Sequence, residues 1–498
     1  MGKIQTLLTL LLLISQKCMA QTDFRNFEHS SLWSKNMNLG TTNAAFMHTE
    51  YSSDICEIHA GHNLTSYKKA VIQEEGTGEW KWELKVKSYS SIKQKNKIWG
   101  EASYSLGKKR NVIWNSTADF RLLYPYVLAD TVGGDLDCER YHFSGGCATQ
   151  LGKFIIGERV KFRADHEYRD VDPRPRSVVT DLFLEVGGLY HLRLFDIGID
   201  GGALIYKQTN DVSFYQELGK TPELQMTGIG SDYKRFSGSN ASAYYKSIGY
   251  TVGAQLLPKD SLSGIFINVN YTDRPFQRIL TSLNSLPISR LYLMECNAEL
   301  GWKRTKGKTN LSISGLWNRE KRHGDEIIAG SSASSEYKKL GELTMFHAKF
   351  DEFSIRTALQ QKHKSITTFK IDCGIQKYSS DYVFPNRQLA FDKVYGKVVG
   401  QWQRAFQHIA LELDANVCYY SNIYKNLTYP QTLVSPTNLE YLNNLYESAS
   451  ADYLLTSMGS RITFLMEKTN LFCCLTGGYL SATNNNGFSI NTRIGINF

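Results

Sequence analysis

Three groups of side chains in this 498-residue chain have the types that chemistry uses. Asp170, Asp172, Arg174 and Arg176 crowd one short stretch, where Pro173 and Pro175 hold the Arg side chains at a fixed spread. Guanidinium forks suit carboxylate and phosphate, so this group is the candidate for recognition of an anion or a partner. A rigid corner whose charges pair locally is the simpler reading. Cys56, His59 and His62 have metal-ligand types. A spacing of three on a strand puts successive members on opposite faces, so no metal site is expected. His408, Glu412 and Asp414 share one face at period two. His408 and Glu412 then stand about 13 Å apart along a strand, too far for a proton relay. There is no nucleophile elbow and no phosphate loop. The expectation is a non-enzyme without catalytic residues, metal or cofactor.

The elements that carry these residues are amphipathic strands. At the C-terminus Phe488, Ile490, Thr492, Ile494, Ile496 and Phe498 alternate with Ser489, Asn491, Arg493, Gly495 and Asn497. Strict alternation means a strand with one apolar and one polar face. Trp80, Trp82, Leu84 and Val86 alternate with Lys81, Glu83, Lys85 and Lys87. Phe369, Ile371, Cys373 and Ile375 alternate with Lys370, Asp372, Gly374 and Gln376, and Ile409 to Tyr419 behaves likewise. Repeated along a whole chain, this fits an all-β transmembrane antiparallel β-barrel with lipid outside and water inside, of roughly 16 strands (about 14–18). Short turns at Pro258-Lys259-Asp260, Lys306-Gly307-Lys308 and Asn484-Asn485-Asn486-Gly487 read as periplasmic. Long connections at 208–241, 274–288, 320–337 and 421–454 read as extracellular, two of them gating access or docking a partner. The pattern Ile494, Ile496, Phe498 resembles the terminal signal that barrel-assembly machinery reads.

Upstream, Lys3, the apolar run Leu7–Ile14 and Cys18-Met19-Ala20 compose a secretory signal peptide over 1–20. Residues 21–50 lack alternation and read as an irregular periplasmic or lumenal lead-in, and 51–498 as the barrel. No later apolar run approaches the length of a membrane helix. With 29 Tyr, 24 Phe and 8 Trp the chain can build aromatic girdles, and its 10 Pro leave strand ladders intact. The net charge of +9, two fewer once Lys3 and Lys17 leave, is scattered. It excludes a nucleic-acid-binding patch and allows an attraction to lipopolysaccharide. Cys473 and Cys474 point to opposite faces, and Cys373 lies on an apolar face. A turn expected at Ser144-Gly145-Gly146 would set Cys138 opposite about position 151 rather than Cys147, which argues against a bridge.

Residues 167–182, Glu-Tyr-Arg-Asp-Val-Asp-Pro-Arg-Pro-Arg-Ser-Val-Val-Thr-Asp-Leu, follow Tyr124-Pro125-Tyr126, Ala129-Asp130 and Gly133-Gly134-Asp135. With the signal peptide and terminal Phe498, these motifs resemble an uncharacterised family of outer-membrane β-barrel proteins of the Bacteroidota, over essentially the whole mature chain. The resemblance implies fold and location in a Gram-negative outer membrane, no catalytic residues, and the company of TonB-linked uptake systems. The expected function is a channel or facilitator for a small solute, its polar lumen carrying Lys81, Glu83, Lys85, Lys370, Asp372, Glu412, Asp414 and Arg493. The alternative is an accessory barrel that docks a surface lipoprotein or a TonB-dependent receptor. The chain is too short to be such a receptor itself, with a plug of ordinary size and a 22-strand barrel.

Overall fold

The alternation seen in the sequence becomes a closed wall. The computed structural model describes residues 27–36, 39–93, 95–216, 221–238, 242–259, 263–330, 337–430, 436–466, 469–483 and 485–498. The signal peptide expected over 1–20 lies outside them. Eighteen strands form the barrel: β1 Ile55–Tyr67, β2 Gly78–Ile92, β3 Asn96–Val112, β4 Gly134–Leu151, β5 Phe154–Tyr168, β6 Arg174–His191, β7 Phe195–Ser213, β8 Ser242–Pro258, β9 Gly264–Leu280, β10 Leu286–Lys306, β11 Thr309–Ala329, β12 Lys339–Lys362, β13 Ile366–Tyr382, β14 Arg387–Ala405, β15 Ile409–Thr428, β16 Tyr453–Phe464, β17 Asn470–Ala482 and β18 Asn485–Asn497. Each pairs antiparallel with its neighbour in sequence. The ring closes where β18 pairs with β1 in the register Ile494↔Ala60 and Ile490↔Leu64. Phe498 finishes the seam: its N–H donates to the Cys56 carbonyl at 2.8 Å.

The faces follow the period of two. Outside, Leu84 is 55% exposed, Ile355 63% and Ile494 60%, which is an apolar belt facing away from the molecule. Such a belt on a closed barrel is the signature of a wall that meets lipid. Inside, Lys85 pairs with Glu101 at 2.6 Å. The faces assigned to Trp80–Lys87 are therefore as expected. Ten or so residues suffice to cross a bilayer as a tilted strand. β11 and β12, at 21 and 24 residues, project well past the belt.

Eighteen strands stand at the upper end of the expected range of about 14–18, and the strand concealed in the sequence is β4. The turn expected at Ser144-Gly145-Gly146 does not exist. Ser144 pairs with Lys161 and Glu101, and Gly146 with Arg159 and Trp99, in the middle of β4. A side chain at Gly146 would collide with the Trp99 ring and the Glu158 carbonyl. Gly146 is a strand position emptied for an indole, and the lack of side chains at Gly145 and Gly146 hid the alternation. Cys138 therefore opposes Gly107 and Glu167, and Cys147 opposes Ile98 and Glu158. All eight described cysteines are free.

The two ends differ. At the end where the described chain enters, connections such as Gly152–Lys153 and Gly307–Lys308 are tight. The opposite end carries the described segments 113–133, 214–216, 221–238, 337–338, 429–430 and 436–452. The long connections expected at 208–241, 274–288, 320–337 and 421–454 all fall at this loop end. They are shorter than expected because β7, β9, β11 and β15 run on to Ser213, Leu280, Ala329 and Thr428. The turn expected among the periplasmic ones at Asn484–Gly487 is also at the loop end, between β17 and β18.

Candidate functional site: a lumen closed at two levels

The barrel encloses two bodies of irregular chain. At the turn end, residues 27–36 and 39–54 reach across the lumen from wall to wall. Phe27 packs on Ile366 and Ala410. Ser30 Oγ donates to Glu412 at 2.6 Å, the Leu32 amide donates to Gln401 at 2.8 Å, and Asn36 Nδ2 donates to Ser312 Oγ at 2.9 Å. On the far wall Arg159, paired with Glu185 at 3.3 Å, donates to the carbonyls of Gly40 and Thr41. The Ala44 amide donates to Glu185 at 2.6 Å, and Asn43 Nδ2 to Gln255 at 2.9 Å. Phe46 enters a pocket with Ile155, Leu189 and Ala148. The return to β1 stacks Tyr51 on His29, with Tyr89 Oη donating to the Met47 carbonyl at 2.7 Å.

The seat for residues 43–46 is made by absence. Gly157, Gly187 and Gly198 face it from β5, β6 and β7. A Cβ there would collide with Ala44–Ala45, Asn43 and Phe46 respectively. The wall is thinned where the segment presses against it.

At the loop end, 113–133, 221–238 and the helix Pro436–Ser450 fold inward and build an apolar core. Trp114, Leu123, Tyr126, Met226, Ile229, Tyr441 and Leu442 pack together and against Phe276, Leu293, Phe346 and Tyr382 of the wall. Short strands Leu128–Ala129, Leu224–Gly228 and Ser231–Asp232 tie the segments to each other. The cap also buries ions. Asp130 meets Arg169 at 3.4 Å, both nearly inaccessible. Arg278 donates to the Met226 carbonyl at 3.0 Å and to Gln225. Burial, reinforced by the charge of Asp130, pushes the Glu223 carboxyl up to about 8. Burial likewise lifts Glu74 to about 7, where it accepts from Tyr441 Oη.

Between cap and crossing segment the lumen is polar and wet. Arg163 contacts Asp119 and Asp165 at 2.6 Å and Asp181 at 3.3 Å, and Arg274 meets Asp181 at 2.6 Å. On the other wall Arg356 stands 3.4 Å from Asp372 and 3.7 Å from Glu299. Glu352 accepts from Tyr395 Oη at 2.7 Å. Arg140, Lys81 and Glu320 keep 46%, 33% and 31% of their side-chain surface exposed, so water reaches this level.

The residues singled out from the sequence are only partly brought together. Asp172 and Arg174 pair at 2.8 Å on the β5–β6 connection. Asp172 accepts from the amides of Tyr215 and Gln216, and Arg174 lies over the Tyr215 ring, so the pair fastens the 214–216 segment. Asp170 and Arg176 are exposed and do not join them. His59 turns inward to Glu57 at 3.2 Å, while His62 faces out against Trp82. Among the described residues no group of His, Cys, Asp and Glu is arranged to hold a metal. Glu412 tethers Ser30 rather than facing His408. The residues that close the lumen, Asn43, Phe46, Arg159, Glu185, Glu223 and Tyr441, carry no spacing signal. The motifs Tyr124-Pro125-Tyr126, Ala129-Asp130 and Gly133-Gly134 do mark the cap, and Gly133 N–H donates to Asp130 at 2.6 Å.

An antiparallel barrel with a lipid-facing belt and a polar, occluded lumen belongs to the outer-membrane class of β-barrel proteins. Within it, residues 44–498 match the model of a family described as a family of unknown function, DUF6850, and the chain belongs to that family. No curated protein matches the sequence. Among solved structures, BauA, the ferric preacinetobactin receptor of Acinetobacter baumannii, is similar at 10% identity and TM-score 0.37, over 89% of this chain and 80% of its own. The siderophore receptor PiuA of the same organism gives 7% and 0.40 over 89% and 82%. The ferric citrate transporter FecA gives 8% and 0.37 over 90% and 79%.

Proposed function

We propose that this protein is a gated, non-enzymatic facilitator that passes a small polar solute through the outer membrane of a Gram-negative bacterium, of the Bacteroidota as the sequence resemblance implies. The turn end faces the periplasm and the loop end the outside, the usual arrangement of such barrels. The observation that carries the reading is the wet chamber of mixed charge, with its Arg163 and Arg356 networks, held between two separate closures. A barrel serving only as an anchor has no need of a solvated chamber. Mixed signs favour a solute that offers both donors and acceptors over a simple ion. The test is conductance in planar bilayers. The native protein should be almost silent, and variants that release both closures should give steps that a candidate solute blocks.

The accessory reading has its own support. Ile328, Leu340, Leu343, Val383 and Phe384 are exposed at the rim of β11–β14, beyond the belt, with Phe384 75% exposed. Apolar surface above the lipid favours a protein partner, such as a surface lipoprotein or a TonB-dependent receptor. Pull-down from native membranes with the Phe384→Ser and Leu340→Ser variants separates the readings. A stoichiometric partner that is lost in these variants, from a barrel silent in every variant, supports the accessory role.

A further inference from the structure

We infer that the outer wall of β11–β13 carries a binding site for the phosphate groups of the outer-leaflet glycolipid. The inference rests on the orientation proposed above, with the loop end outside. The upper edge of the belt is marked by Trp317 on β11 and Phe353 on β12, whose rings stack at 6.3 Å. Aromatic side chains of this kind settle at the level of lipid headgroups. Above them the outward positions turn cationic. Arg319 pairs with Asp351 across the strands at 2.6 Å, and Asp351 is also taken by Lys349 at 2.6 Å. The next outward pair in the register is Lys321↔Lys349, two exposed ammonium groups directly opposite each other. Lys377 stands opposite Asp351 on β13. Lys377 also stands 4.0 Å from Asp392 on β14, so four cations face two carboxylates, and Lys321 makes no ion pair among the described residues.

Like charges facing each other across a ladder are unfavourable, and a strand has many cheaper choices for an exposed position. The arrangement recurs on the far side, where exposed Lys207 and Lys246 oppose each other on β7 and β8 just above Ile205 and Ile248. A shared multivalent anion at this height removes the repulsion. Lipid phosphate is the anion found there: its acyl chains lie against the belt below, and its phosphates reach the lysines. The charge complementarity and the adjoining lipid-facing surface together favour a phosphorylated lipid over soluble phosphate, which has no reason to prefer the edge of an apolar wall.

The probe is bis-phosphorylated lipid A in detergent micelles with purified barrel, read by native mass spectrometry. Folding is checked by the heat-dependent shift of a barrel in gel electrophoresis. The wild type should retain lipid A. Lys321→Gln with Lys349→Gln should lower the retained fraction about thirtyfold, the effect of two cations at a membrane surface. Lys153→Gln with Lys362→Gln, the same charge loss at the turn end, should retain lipid. Equal retention by the first pair overturns the inference, as does equal binding of lipid A stripped of phosphate. Displacement by orthophosphate at matched concentration would assign the site to free phosphate and overturn it too. The readout is independent of conductance, so a failed channel reading leaves it standing.

Discussion

Two closures in series make a quantitative demand: neither alone should open the barrel. The lower one can be released from the wall side. Gly157→Val and Gly187→Val place methyl groups where Ala44, Ala45 and Asn43 now sit, and the nearest atoms to both new Cβ positions belong to residues 43–45. The clash is therefore relieved if residues 43–46 leave, with the barrel itself unstrained. Overpacking costs about 1–3 kcal/mol per site. The bonds from Ala44 to Glu185 and from Asn43 to Gln255, at 2.6 and 2.9 Å, contribute to holding the segment at about 1 kcal/mol each and are lost when it is displaced. A shift of about 4 kcal/mol moves the seated-to-unseated ratio about a thousandfold. The upper closure is loosened by replacing 214–241 with a short turn, which removes Met226, Ile229 and Phe236. In planar bilayers, the glycine pair alone and the trimmed cap alone should stay nearly silent, and the combination should conduct. If the trimmed cap alone conducts as well as the combination, residues 27–54 are no barrier. If the combination is silent while the barrel is folded, the closures do not control passage, and the gating argument fails.

Other consequences are as direct. Leu84→Arg, in the outward belt, should cost about 2–4 kcal/mol in urea unfolding from bilayers, and Lys85→Arg, facing water inside, almost nothing; equal costs would mean the faces are reversed. Deleting Phe498 removes its two hydrogen bonds to Cys56 at the seam and should lower the amount of protein in outer-membrane fractions; normal abundance would refute a role in assembly. The cap should loosen as pH rises. Glu223 and Glu74 hold their protons in the closed cap up to about 8 and 7, above the ordinary carboxyl value near 4.5, so their contribution is full in acid and is lost as pH climbs through those values. Proteolysis of the loops should quicken from pH 5 to 8, and Glu223→Gln should flatten the dependence.

The wall was legible because its signal is periodic and local. Outward Leu84 and Ile494 and inward Lys85 and Arg493 obey a period that any single strand displays. β4 is hidden for a local reason too: Ser144-Gly145-Gly146 has the composition of a turn, and the indole of Trp99 explains the missing side chain at Gly146 alone. The closures are another matter. Asn43 finds Gln255 and Ile199, and Arg159 finds Gly40 and Thr41, across more than a hundred residues of sequence. Nothing in the spacing of Asn43-Ala44-Ala45-Phe46 announces three glycines waiting on three different strands. The Asp170–Arg176 group shows the converse. Its charges were conspicuous, and two of the four, Asp172 and Arg174, serve to pin a neighbouring loop.

The composition of the cap bears on whether it moves. A closure meant to be permanent would be best made of apolar side chains alone, since each buried ion must recover its lost hydration from its partners. This cap is apolar at Trp114, Leu123 and Leu442, yet it also encloses Arg169, Arg278 and Arg387. Arg169 and Arg387 are almost fully buried, Arg169 against Asp130 at 3.4 Å and Arg387 over the Tyr382 ring at 4.0 Å. Taking each guanidinium out of water costs several kcal/mol before its partners are counted. Opening the cap returns those groups to water while it exposes the apolar core, so the two large terms oppose each other. A difference of two such terms is small, and a small difference is what a modest solute affinity can tip. The lower segment follows the same logic with other parts: hydrogen bonds to wall carboxylates and amides, each of which water can replace, between large apolar anchors at Phe27 and Phe46. Balanced closures of this kind are what the proposed gated passage requires, and an inert anchor has no use for them.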